Sequence, residues 1–132
     1  MRLTHACLVT DDVATLRRFY ETVLRMPPTR AHDDYVEFAT PSGAALSIYS
    51  RTKLEPYAPG ATQPGSNRAV MLEFEVSDVD AEYARLRALP IDWVKTPSTQ
   101  PWGNRSIYLR DTDGNLVNLY KRVPAEKEKT TP

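Results

Sequence analysis

The sequence predicts an α+β fold built from one small module written twice in tandem. Two stretches carry that reading: His5-Ala6-Cys7-Leu8-Val9-Thr10-Asp11-Asp12-Val13 and Met71-Leu72-Glu73-Phe74-Glu75-Val76-Ser77-Asp78-Val79. Each alternates in character like a strand, ends on aspartate and passes directly into an amphipathic helix. They begin at positions 5 and 71 of a 132-residue chain, so the spacing is half the chain length. A third observation agrees with them, because further strands follow each helix in the same order. The duplication sets His5 over Met71, so differences between the copies at equivalent strand positions bear on chemistry.

The elements follow in order. Leu3 to Thr10 alternates as a strand, with Leu3, Ala6, Leu8 and Thr10 on the packed side. Asp11 or Asp12 is an N-cap, since a carboxylate accepts orphan backbone N–H groups and favours the positive helix end. Val13, Leu16, Phe19, Tyr20, Val23 and Leu24 then fall at helical spacing, and Pro27-Pro28 stops the helix. Tyr35 to Ala39 is a strand, Pro41-Ser42-Gly43 a turn and Ala45 to Tyr49 a second strand. This first half yields only two clear strands after its helix. Residues 51–67, with Pro56, Pro59, Gly60, Pro64 and Gly65, read as a linker between module 1 (residues 2–50) and module 2 (68–121) of one domain.

In the second copy Val70 to Val76 is a strand and Ser77 or Asp78 a cap. Val79, Tyr83, Leu86 and Leu89 form one helix face, ended by Pro90. Ile91 to Lys95 is a strand, Thr96 to Asn104 a loop and Ser106 to Arg110 a strand. Asp111-Thr112-Asp113-Gly114-Asn115 is a tight turn and Leu116 to Tyr120 the closing strand. That turn lacks the following glutamate of an EF-hand, so it reads as a hairpin connection and not as a calcium loop. The charged segment 124–132 has few apolar residues and reads as a frayed tail.

Composition removes several function classes. Seventeen basic residues balance seventeen acidic ones, which leaves no electrostatic case for nucleic acid or anionic membrane as a partner. One cysteine, Cys7, cannot form an intrachain disulfide, and a reducing cytoplasm fits. No apolar run approaches the ~20 residues needed to span a bilayer, and the N-terminus has no basic-then-apolar leader.

Three pieces together resemble the vicinal oxygen chelate superfamily of glyoxalases, extradiol dioxygenases, and fosfomycin- and bleomycin-resistance proteins. They are His5 to Val13 leading into Phe19-Tyr20-Glu21-Thr22-Val23-Leu24, Phe74 to Asp80, and Asp111 to Leu116; Pro101-Trp102-Gly103-Asn104-Arg105 is similar to a loop of many members. The likeness spans about residues 2–121. It implies two tandem βαβββ modules forming a curled, cup-shaped mixed sheet, and a homodimer. It also implies four metal-ligand positions, which fall here on His5, Ser47, Met71 and Asn118. A catalytic divalent ion wants about three imidazole or carboxylate donors. Only His5 qualifies, so no metal or other cofactor is expected.

Alternation turns Leu72, Phe74 and Val76 towards the helix and Met71, Glu73 and Glu75 towards the cup. It also turns inward His5, Cys7 and Val9; Ala45, Ser47 and Tyr49; and Leu116, Asn118 and Tyr120. The expected ligand-binding residues are His5, Cys7, Ser47, Tyr49, Met71, Glu73, Trp102, Arg105, Asn118 and Tyr120. They make an apolar and aromatic pocket with a few orienting polar groups. Glu73 is the candidate general base, because partial burial would desolvate its carboxylate; alternatively Glu73 and Glu75 face solvent or pair with Arg105. His32 reads as a solvated loop residue, and Cys7, with no basic neighbour in its strand, as an inert thiol. Two function classes remain. One is a metal-independent protein binding a small aromatic or amphipathic molecule. The other is a glyoxalase-like lyase or isomerase, dependent on a metal or on Glu73.

Overall fold

Asp12 and Asp78 start the two helices in the same way. Each carboxylate accepts the backbone N–H three residues on, from Thr15 and Ala81 respectively, both at 3.0 Å. These are the cap positions of helices α1 (Val13–Leu24) and α3 (Val79–Leu86). Of the paired possibilities in the sequence, Asp12 and Asp78 are the caps, and Asp11 instead accepts a bond from Arg51 at 2.6 Å. The computed structural model describes residues 1–123, and the expected frayed tail at 124–132 lies outside them. The chain divides into two units, Met1–Asn67 and Arg68 onward.

The first unit holds β1 (His5–Thr10), α1, β2 (Arg30–Ala31), β3 (Tyr35–Ala39), β4 (Ala45–Ser50) and a short α2 (Arg51–Leu54). Its sheet runs β1-β4-β3-β2, with β1 and β4 parallel and the other neighbours antiparallel. Helix α1 packs on β3 and β4. Leu16, Tyr20 and Val23 from the helix meet Val36, Phe38, Leu46 and Ile48 from the strands in a buried layer. The apolar stripe at helical spacing and the alternation of the strands produce that layer directly.

The second unit repeats the plan with β5 (Met71–Glu75), α3, β6 (Asp92–Thr99), β7 (Asn104–Arg110) and β8 (Leu116–Arg122). Its sheet order is β5-β8-β7-β6, again with first and last strands parallel. Helix α3 packs on β6, β7 and β8, and Val79 and Leu86 are buried with Ile107, Leu109, Val117 and Leu119. Both units are therefore βαβββ, mixed in strand direction and α+β in class.

Four sequence expectations change. Strand β2, unseen in the sequence, is two exposed residues paired to β3, too short to show any alternation. The expected linker carries helix α2, capped by Ser50. Strand β6 continues to Thr99 where a loop was expected, because register irregularities between Trp93 and Lys95 and between Lys95 and Ser98 break the two-residue period. Leu3 and Leu89 are exposed rather than packed, since each lies beyond the element that would have turned it inward.

The turn after β7 forms as expected. Asp111 Oδ1 accepts the N–H groups of Asp113 and Asn115 at 2.9 Å, and Asn115 Nδ2 donates to Asp111 Oδ2 at 2.9 Å. Gly114 takes a φ of 90°, which suits glycine, and its carbonyl accepts from Arg110. The carboxylate is used by the turn itself.

Removing the cap of helix α3 tests how much it matters. Asp78→Ala is expected to lower stability by about 1 kcal/mol, the usual loss for a capping carboxylate. Urea denaturation with an unchanged slope is the measurement, and no shift in midpoint would show that the cap is dispensable.

Candidate functional site

Because Val36, Phe38, Leu46 and Ile48 face helix α1, their neighbours emerge on the opposite, helix-free side of the first sheet. The register aligns Cys7, Ser47 and Glu37 in one row and Val9, Tyr49 and Tyr35 in the next. His5 lies one pair further, opposite Ala45. Glu37 is the centre of this face. Its Oε1 accepts the Tyr35 hydroxyl at 2.6 Å and His5 Nε2 at 2.7 Å. The carboxylate can only accept, so His5 carries its proton on Nε2, and Nδ1 faces the Thr4 hydroxyl at 3.0 Å.

These contacts shape the charges. The bond from Tyr35, then that from His5, holds Glu37 below the usual glutamate range. Burial, followed by the neighbouring Glu37 carboxylate, pushes the Tyr35 hydroxyl up, with Ser47 opposing through a hydrogen bond. Ser47 itself is buried, and the Tyr35 and Tyr49 rings meet edge to face with centroids 6.0 Å apart. Cys7 is exposed on the same face.

The second unit has a different helix-free face. Glu73 pairs with Asn118, Tyr108 lies opposite Asn118, and Ser106 lies opposite Tyr120. Asn118 Nδ2 donates to Glu73 Oε2 at 2.9 Å. That bond orients the amide, because a carboxylate offers no proton to an amide oxygen. Asn118 Oδ1 and Ser106 Oγ are then buried without a hydrogen-bond partner. Asn118 is the register counterpart of Ser47: the two pair with Glu73 and Cys7 at equivalent places, and both are buried between apolar strand neighbours.

Some expected site residues sit elsewhere. Arg105 lies on the helix side of its sheet, where Nε and Nη2 grip both oxygens of Asp80 at 2.7 Å. It therefore pairs with neither Glu73 nor Glu75 and is absent from the helix-free face; the sequence could not show that β7 begins early enough to place it beside α3. Glu73 is exposed rather than partly buried. Trp102, in the turn between β6 and β7, is 63 % exposed, and Met71 at the start of β5 is 43 % exposed. Glu37 was overlooked, although the pattern Tyr35-Val36-Glu37-Phe38 turns it away from the helix together with Tyr35. Alternation alone could have found it; its link to His5 needed the register.

The positions that the resemblance marks for metal donors hold a poor set. His5 Nε2 is engaged by Glu37, Ser47 offers a hydroxyl, Met71 a thioether and Asn118 an amide whose nitrogen faces Glu73. Among the described residues no three His, Cys, Asp or Glu side chains gather to hold an ion. This donor chemistry does not fit a catalytic divalent metal.

The pH dependence of Glu37 follows from the direction of its shift. A carboxyl held below its ordinary value contributes stability above that value and loses it as the pH falls through the folded one. The stability gap between the parent and Glu37→Gln is expected to be present above 4.5, the ordinary glutamate value, and to close on acidification below it. Denaturant midpoints across that range measure it; a gap that widens in acid would contradict the arrangement.

Comparison with known proteins agrees with this architecture. The sequence pattern of the Glyoxalase/Bleomycin resistance protein/Dioxygenase superfamily matches residues 2–119. A glyoxalase/bleomycin resistance protein/dioxygenase from Nocardioides is similar at 27 % identity and a TM-score of 0.77, covering 93 % of this chain and 84 % of that one. A glyoxalase-related enzyme from Fulvimarina pelagi shares the fold at 18 % identity and a TM-score of 0.79, covering 92 % and 88 %. A family enzyme from Burkholderia phytofirmans PsJN does so at 16 % identity and 0.79, covering 93 % and 100 %. No curated protein is similar enough to count as a match. No helix among the described residues is long and apolar enough to cross a membrane. With paired βαβββ units and a family pattern running through both, the chain belongs to the Glyoxalase/Bleomycin resistance protein/Dioxygenase superfamily.

Proposed function

We propose that this chain binds a small aromatic or amphipathic molecule on the helix-free face of its sheets, without a catalytic metal. One observation carries the reading: on that face, rings and hydrogen-bonding groups replace the aliphatic layer found on the helix side. Tyr35 and Tyr49 accompany Ser47 and Glu37 in one unit, and Tyr108 and Tyr120 accompany Asn118 and Ser106 in the other. Rings provide contact area at low entropic cost, and a few fixed polar atoms set orientation. The poor donor set at His5, Ser47, Met71 and Asn118 supports action without a metal.

A second reading, a lyase or isomerase, has one supporting observation. Asn118 holds the Glu73 carboxylate in a fixed orientation, as a positioned base requires. Two of the similar structures are described as enzymes, and that description applies to them.

The two readings separate by experiment. Elemental analysis after dialysis is expected to find no stoichiometric zinc, nickel or iron; one equivalent that disappears in His5→Ala would overturn the metal-free reading. In a screen of aromatic fragments, Tyr49→Ala or Tyr120→Ala should weaken a hit by roughly 1 to 3 kcal/mol, as truncating a buried ring contact commonly does. Hits unaffected by either change would place binding elsewhere. Turnover abolished by Glu73→Gln with affinity retained would favour the enzyme.

A further inference from the structure

Glu37 is half used. Its Oε1 takes two donors, Tyr35 and His5, while Oε2 accepts no hydrogen bond from the described residues. The side chain keeps 15 % of its exposure, so it is neither sealed nor freely solvated. Two donors on one oxygen restrain the carboxylate and so hold its second oxygen in a defined place. Tyr35, which supplies one of them, is also half of the Tyr35–Tyr49 ring pair, so an acceptor and an aromatic surface adjoin.

The charge around this oxygen narrows the ligand further. Arg30 of β2 is the register partner of Glu37 and acts on it through space, and His5 approaches from the other side. The Arg30 guanidinium offsets part of the carboxylate's charge, so an ammonium gains little there over a neutral N–H or O–H. Hydrogen bonds to an ionised acceptor are the stronger kind, so one neutral donor suffices to orient a ring.

Resting on the small-molecule reading above, we infer that Glu37 Oε2 is the anchor for a neutral hydrogen-bond donor attached to an aromatic ring lying against Tyr35 and Tyr49. Tyr35 and His5 are positioning residues for that anchor. The ligand class is therefore an uncharged aromatic with an N–H or O–H, and Glu37 discriminates it from the same ring without the donor.

Indole, 1-methylindole and benzylammonium serve as probes, followed by NMR titration of the full chain with the Glu37 side-chain carboxyl carbon and the Tyr ring signals observed. Indole is expected to bind roughly tenfold or more tightly than 1-methylindole, as loss of a bond to a charged group implies. Only indole should shift the Glu37 carboxyl signal, and benzylammonium should bind no better than 1-methylindole. In Glu37→Met the preference for indole should vanish while both indoles still move the Tyr signals. Equal affinities in the parent, or a preference that survives Glu37→Met, would overturn the anchor while leaving the small-molecule reading intact. Benzylammonium binding above indole would overturn the neutral class. If no probe shifted any Tyr signal, the small-molecule reading itself would fall. Should Glu37→Met not fold, the Glu37 carboxyl signal of the parent decides alone: it moves with indole only, or the anchor is wrong.

Discussion

The parallel pairing of the first and last strands of each unit governs everything built on them. Parallel neighbours cannot be joined by a tight turn, so the chain must cross over, and the helix with its two following strands is that crossover. The pairing sets Cys7 beside Ser47 and Glu73 beside Asn118. A slip of one residue would exchange the two faces of the edge strand, bringing Glu73 under the helix and Leu72 out of it. Helix α1 packs on the first sheet and α3 on the second, and the strand residues that alternate with those under each helix point the other way.

The second consequence is a polar residue buried in the same place in both units. Ser47 stands between Leu46 and Ile48, and Asn118 between Val117 and Leu119, each pair of neighbours turned to the helix. Buried polar groups normally have partners. Asn118 satisfies its amide nitrogen through Glu73 but leaves its oxygen open. The two copies have thus diverged where they remain structurally equivalent. One assembled a His5–Glu37–Tyr35 hydrogen-bonded array, and the other an amide and a carboxylate on adjacent strands.

Much of this was legible in the sequence because the relevant signals are local. Capping residues before an apolar helix stripe narrowed each cap to two adjacent positions, and alternation assigned faces to His5, Cys7, Ser47, Tyr49, Asn118 and Tyr120. The repeat itself survived as a matching pattern in β1 and β5. What stayed hidden depends on neighbours distant in sequence. The bond between His5 and Glu37 joins residues 32 positions apart across a strand that separates them. Arg105 reads as a loop residue because the strand pattern only starts at Ser106, and nothing local ties Arg105 to Asp80, 25 positions away. Exposure of Glu73 is likewise a property of the assembled surface, since an edge strand leaves one flank open.

The helix-free faces are the proposed binding surface for a small aromatic molecule. Photolabelling with a diazirine-bearing aromatic fragment, followed by residue-level mass spectrometry, tests it most directly. Labels are expected to concentrate on Cys7, Tyr35, Glu37 and Tyr49, or on Glu73, Tyr108 and Tyr120, and to be suppressed by excess unlabelled fragment. Competable labels confined to exposed positions of α1 and α3, with none on these strands, would contradict it.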